Sequence, residues 1–424
     1  MVALAGGIDF ESPVMVKVKQ HFECPTLGFS EIEDSVQKQF LRPEIKDKVK
    51  PGMKVAIAVG SRGIAKLSFV VKQTIQLLRE FGANPVIVPA MGSHGGATAE
   101  GQQSVLAGYG ITEDEMGVPV LPSMETVQLG TFDGVPVYFS KVAYECDLIV
   151  SVCRVKPHTD FRGEVESGAY KMLTIGLGKH LGAATLHSAG YARFPKLIPG
   201  IGQFIVDHAP VGFAVCIIEN SFDDVGAVEV LAADAIAVEE PKLLKLAKDY
   251  LPKFNIDTID LLIVDELGKN ISGQGMDPNI TGRSPFGLEY SGTPQIDRIA
   301  VLDLTEETHG NATGIGVADF ITVDCFNKID LQATYANTIT AGAFGSAKMP
   351  MMLANDKELL AVALKAATLT PPNAARIVRI KDTLHLGEFW VSEVIATDLE
   401  EDSRFSVTSE HRPLTFDTNG KLTW

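Results

Sequence analysis

The chain has 424 residues, of which 46% are hydrophobic and 21% charged, and a formal net charge of -16. That length exceeds what one ordinary core organises and predicts two domains, and the composition excludes a disordered or fibrous chain. The acidic balance excludes a nucleic-acid backbone or an anionic membrane surface as the main partner, while leaving room for a local basic pocket that takes a small anion.

Residues 14–18, Val-Met-Val-Lys-Val, read as an alternating segment that suits a strand with one wet face. The charge-mixed stretch up to about residue 50, with Pro43 and then Pro51 limiting helix, reads as the lead-in to a main domain. Residues 54–59 then form a buried strand, residues 60–64 a tight loop holding Ser61 and Arg62, and residues 65–81 an amphipathic helix closed by Gly82. The same unit follows again. Residues 85–90 are a strand, residues 91–96 a glycine-rich loop holding Gly92, Ser93 and His94, and a helix starts at Thr98. A third buried strand, residues 147–152, leads into a stretch that holds His158, Lys171, His180 and His187.

Strand, loop and helix in repetition predict an α/β fold whose N-terminal domain is a mostly parallel sheet with crossover helices. Loops leaving the carboxyl ends of such strands gather along one edge, where ligands bind. Arg62, His94 and His158 each lie in a loop of that kind, and a further strand at residues 259–264 is expected to bring Lys269 to the same edge or its boundary. Between them, a strand at residues 212–219 and helices at 227–237 and 241–250 read as scaffold. Residues 273–292 are rich in Gly, Pro, Asn and Ser and mark a connection. The division is therefore expected to give an N-terminal domain of residues 1–272 and a smaller C-terminal α/β domain of residues 273–424. In the latter, a strand at 298–304 precedes a glycine-rich loop at 308–316 without the Walker lysine or a GxGxxG spacing; a helix at 356–367 and a strand at 375–380 follow.

Five scattered cysteines (Cys24, Cys146, Cys153, Cys216 and Cys325) with no CxxC pair read as reduced thiols of a cytosolic protein rather than a disulfide frame or a zinc site. No apolar run reaches the length of a membrane span, and an acid interrupts the opening residues before a signal-peptide core develops, so the expected location is the cytoplasm.

The chemistry of the candidate residues is suggested by type. A lone histidine after a strand is usually a packing or capping residue, and most lysines are solvated. Here their company argues for more. Arg62 offers a fork of donors suited to a carboxylate, and Lys269 can grip the same anion. His94 and His158 titrate near neutrality and suit proton exchange on two faces of a small acid. Lys171 sits in a run without another charge, where desolvation favours covalent use of its amine. His187 is a candidate metal ligand, although the glycines between it and Lys171 prevent a helical-phase argument against His180, and imidazole alone does not choose among zinc, copper, iron and nickel.

Taken together, Ser61-Arg62, Gly92-Ser93-His94, Pro157-His158, the run from Ser167 to Lys171, His187 and Lys269 resemble the nickel-dependent lactate racemase family of 2-hydroxyacid racemases and epimerases. The resemblance covers most of the chain and is nearest to less studied homologues carrying ELGKNISGQGMDPN and THGNATGIGVADF. It implies a two-domain α/β protein with the active-site cleft between the domains. It also implies a nickel-pincer nucleotide, a pyridinium-3-thioamide-5-thiocarboxylic acid mononucleotide, joined to Lys171 with its Ni bound by His187. His94 and His158 resemble the acid/base pair, and Arg62 and Lys269 the substrate-holding cations. The implied partners are a 2-hydroxyacid and the proteins that build the cofactor. Gly63 follows Arg62 and Gly95 follows His94 where the lactate enzyme has proline and arginine, and the interval from His158 to Lys171 is longer, with Arg162, Glu164 and Glu166 in it. These differences lie at the substrate end and extend the expected substrates to malate or a sugar acid. The other reading is a homologue that binds a nucleotide or hydroxyacid without this cofactor, as a different isomerase, a lyase or a sensor.

Overall fold

The computed structural model describes residues 7–60, 63–366 and 371–424. The chain divides into two compact units: residues 24–251, and residues 1–23 together with 252–424. The first strand, β1 (Val14–Gln20), belongs to the second of these. Residues 13–50 are therefore not a simple lead-in to the N-terminal domain.

The unit of residues 24–251 is built on a five-stranded sheet. Its strands are β2 (Lys54–Val59), β3 (Asn84–Pro89), β6 (Leu148–Arg154), β7 (Val211–Glu219) and β8 (Val225–Ala232), and a separate hairpin is made by β4 (Thr126–Phe132) and β5 (Val135–Ser140). The order is β3-β2-β6-β7-β8, parallel except for β8. Burial on both faces explains why the parallel strands read as continuous apolar runs. Val55, Ile57 and Val59 of β2, with Val150 and Val152 of β6, pack on one face against Val36, Phe40, Val70 and Leu78 of the helices Phe29–Phe40 and Leu67–Glu80. The opposite face carries smaller side chains, Ala56, Ala58, Cys153, Ala214 and Cys216, and the elements around Tyr170, Leu173, Leu186 and Phe194 pack there. Short side chains on that face let backbone come close to the sheet, and this is where the stretch from His158 to His187 lies.

The expected helix at residues 227–237 is instead β8 followed by a helix from Ile236 to Tyr250. Val228, Val230 and Ala232 go to one face and Ala227 and Leu231 to the other, a period of two that outweighs the helix propensity of the alanines.

The second unit holds an eight-stranded sheet. It contains β9 (Thr258–Leu267), β10 (Gln295–Leu304), β11 (Phe320–Thr322), β12 (Met351–Leu353), β13 (Ile377–Ile380), β14 (Glu388–Ser392) and β15 (Phe405–Pro413), in the order β12-β11-β10-β9-β13-β14-β1-β15. The five strands from β12 to β13 are parallel, and β14, β1 and β15 continue as an antiparallel set. Leu261, Ile263, Ala300 and Ile377 pack with Leu359, Leu360 and Ala363 of the helix Asp356–Ala366. The boundary expected at residue 272 thus lies some way inside this unit, because β9 pairs with β10 and β13 and is not a fourth strand of the first sheet. Among the described residues no helix is long and apolar enough to cross a membrane.

Candidate functional site

At the carboxyl end of β6 the chain leaves the sheet, and Lys156 and Ser167 close on each other through two backbone hydrogen bonds of 3.1 and 3.2 Å. The ten residues between them form a loop, and His158 stands near its start. The loop is organised by Glu166, whose side chain has 0% exposure. Its carboxylate accepts the His158 backbone N–H at 2.7 Å, Lys248 Nζ at 2.8 Å and Arg162 Nη1 at 3.3 Å. Two cations and an amide offset the cost of burying that charge. Arg162 Nη1 also donates to the His158 carbonyl. The His158 ring lies 4.5 Å from the Phe161 ring and 6.3 Å from the Tyr191 ring, centroid to centroid.

Beyond Ser167 the short helix Ala169–Lys171 widens into a π-turn, Met172–Gly176, a local change of pitch often found at functional sites. The start of this segment is held by Glu240, which accepts the Tyr170 N–H at 3.1 Å and the Ala169 N–H. Burial pushes the Glu240 carboxyl up to about 7, and among the described residues its Oε1 has no hydrogen-bond partner. A Cβ on Gly168 would sit 2.0 Å from that oxygen, so only glycine permits the approach. Lys171 is half-buried and its Nζ lies 3.4 Å from Ser167 Oγ.

The π-turn leads through Lys179 into the helix Lys179–Ser188, which carries His187. The His187 Nδ1 lies 2.7 Å from the Ala183 carbonyl oxygen, the donor geometry of an Nδ1–H, which leaves the Nε2 lone pair to act as ligand. Burial lowers the pKa of His187; the ammonium of Lys171 lowers it further, against opposing effects of the Ala183 hydrogen bond and Asp160. The net shift favours the neutral ring that metal binding requires. Tyr191 and Phe194 stand at 5.7 and 5.5 Å from it, and Tyr191 thus contacts both His187 and His158. Among the described residues no group of three His, Cys, Asp or Glu side chains is placed to hold a metal ion.

The loop after β3 joins the same face. Gly92, at φ +60°, donates its N–H to the Gly176 carbonyl at 3.1 Å. Gln102 Nε2 donates to the Gly92 carbonyl at 2.9 Å and to the His94 carbonyl at 3.4 Å. The fully buried Lys179 completes this support, donating to the Pro89 carbonyl at 2.5 Å with Gln102 Oε1 at 3.5 Å. His94 itself is exposed at the head of a 3-10 turn, Gly95–Ala97.

Of the residues singled out from sequence, the structure brings His158, Lys171 and His187 to one wall and ties the loop of His94 to the π-turn. His180 is exposed. Ser61 and Arg62 lie outside the described residues. Lys269 belongs to the other unit, where its backbone N–H donates to Thr308 Oγ1 at 3.0 Å and its Nζ to the Gly273 carbonyl; it does not follow a strand of the first sheet as expected. Glu240, Lys179 and Tyr191 were missed, and Glu166 was noted only as part of a longer interval. Glu240 has no local signal, since its partners stand some seventy residues earlier in the chain.

Residues 11–193 match a family model described as the lactate racemase N-terminal domain. No curated protein matches the sequence. Among solved structures the chain is similar to the lactate racemase apoprotein from Thermoanaerobacterium thermosaccharolyticum, with 15% identity and a TM-score of 0.51, over 87% of this chain and 98% of that one. That likeness shows the fold.

Proposed function

The chain belongs to the lactate racemase family, and from that premise we propose that it is an isomerase, racemising or epimerising a 2-hydroxyacid with a nickel-pincer nucleotide held by Lys171 and His187. The observation that carries this reading is the pairing on one wall of a half-buried lysine amine and an imidazole whose Nδ1 is committed to a carbonyl. The residues fit the group. An amine partly withdrawn from water is suited to a covalent link, and the Nε2 lone pair of His187 is suited to a borderline metal such as nickel.

When bound, the cofactor supplies an acceptor and donor for the Cα hydride. The chain's own part is to orient the acid and move the hydroxyl proton. His94 and His158 are assigned to that proton, one on each face of the substrate, and Arg62 and Lys269 to its carboxylate. The two cations rest on the resemblance. Tyr191, Phe161 and Phe194 line the wall with aromatic surface that limits water around His158 and His187. The substrate is a 2-hydroxyacid, lactate or a larger and more polar one, and proteins that build the cofactor are the expected partners.

The deciding experiment is peptide mass spectrometry with metal analysis, on untagged protein made in a cell able to make the cofactor. A mass increment on the Lys171 peptide together with nickel is expected. Lys171→Ala is expected to lose the increment, the nickel and all racemisation; full racemisation by that variant would exclude the mechanism. Hydroxyacid or nucleotide binding without any increment would give the cofactor-free reading instead.

A further inference from the structure

The way His158, one of the two histidines assigned to the substrate proton, is held bears on what it is able to do. Its Nδ1 accepts the backbone N–H of Asp160 at 3.0 Å. A ring nitrogen that accepts an amide hydrogen carries none of its own, so the proton of the neutral ring must reside on Nε2. The backbone of His158 is fixed as well, by Glu166 on its N–H and Arg162 on its carbonyl. Phe161 packs against the ring face at 4.5 Å between centroids, which restricts rotation of the imidazole.

We propose that His158 rests as the Nε2–H tautomer, a hydrogen-bond donor to the substrate oxygen, and that the turn to Asp160 must release Nδ1 before His158 exchanges a proton. Glu166 and Asp160 act here as positioning residues. As an acid, the ring must first take a proton at Nδ1, which the Asp160 amide hydrogen opposes. It then gives its Nε2 proton to the alkoxide oxygen and is left neutral with its proton on Nδ1. As a base it must start from that same Nδ1–H form. In the resting protein His94 is therefore the base, and the turn after His158 is the moving part of the cycle. This deepens the racemase reading and rests on it for the identity of the substrate oxygen, though not for the tautomer.

The test is 15N NMR of histidine-labelled, cofactor-free protein near pH 7.5, with the His158 signals assigned by their loss in His158→Gln. An unprotonated Nδ1 and a protonated Nε2 are expected. A protonated Nδ1, or rapid averaging of the two forms, would overturn the proposal. Asp160→Pro removes the amide hydrogen and is expected to shift the ring toward Nδ1–H, whereas Asp160→Asn keeps the amide and is expected to keep the parent tautomer. A folded Asp160→Pro variant with the parent spectrum would also overturn it, and if that variant does not fold the parent spectrum decides alone. Glu166→Gln is expected to broaden the His158 signals and to lower kcat by on the order of 10²-fold with KM little changed; parental spectra and kcat in that variant would remove Glu166 from the positioning role. The spectra do not depend on cofactor or turnover, so failure of the tautomer and failure of the racemase reading are told apart.

Discussion

Glu240 and Lys179 are two buried ionisable side chains close beneath the candidate site, and each ties stability to pH. Glu240 keeps its proton up to about 7 in the folded chain, while the unfolded chain releases it near the ordinary value of 4.5. Its contribution is present below 4.5 and is lost as pH rises to about 7, a change on the order of 3 kcal/mol. Urea midpoints at pH 5 and pH 8 should show that component in the parent and not in Glu240→Gln. Burial lowers Lys179 from 10.5 to about 8, so the cost of its charge is present below 8 and is relieved as pH rises toward 10.5. Lys179→Met should flatten stability over that interval while leaving the Pro89 carbonyl and Gln102 without their cation; an unchanged slope in urea titrations would contradict this. The residues singled out from sequence at this scale, His158, Lys171 and His187, lie in the stretch that follows a strand whose apolar run is unmistakable. Glu240 and Lys179 escaped sequence reading because their significance lies in burial and in partners distant along the chain.

At the scale of elements, the helix Phe194–His208 presses its backbone on the segment that carries Lys171. A Cβ on Gly202 would lie 2.3 Å from Tyr170 Cδ1, and both residues are buried. Gly202→Ala is thus expected to destabilise the protein by about 1–3 kcal/mol and to change acylation of Lys171 by an amine-reactive probe; a variant with parental stability and labelling would show that the ring moves aside freely. The parallel strands β2, β3, β6 and β7 were legible because burial on both faces writes them as unbroken apolar runs. β8 was not, since an edge strand rich in alanine offers helix and strand signals at once and its pairing with β7 decides. The π-turn also escaped, because its wider pitch comes from packing and leaves no periodic mark in five residues.

The whole molecule divides differently from the linear reading. Composition identified the Gly- and Pro-rich segment after residue 272 as a boundary, but pairing of β9 with β10 and β13 draws the chain from Pro252 into the second unit. Membership of β1 depends on partners almost four hundred residues away, which no local pattern reports. A fragment of residues 24–251, with its own sheet and two apolar layers, is expected to unfold cooperatively in urea. One of residues 252–424 lacks the strand between β14 and β15, and is expected to gain ordered amide signals only when a peptide of residues 7–23 is added; folding without it would contradict the assigned pairing.

The place of β1 has a consequence for biosynthesis. Translation delivers this strand before the other seven of its sheet, with its two neighbours the last of those seven, so while the intervening residues are made its hydrogen-bonding edges have no native mate. The nascent chain must keep Val14, Met15, Val16 and Val18 from pairing elsewhere until residues 388–413 have emerged, so the first-made strand of that sheet waits for the last-made ones.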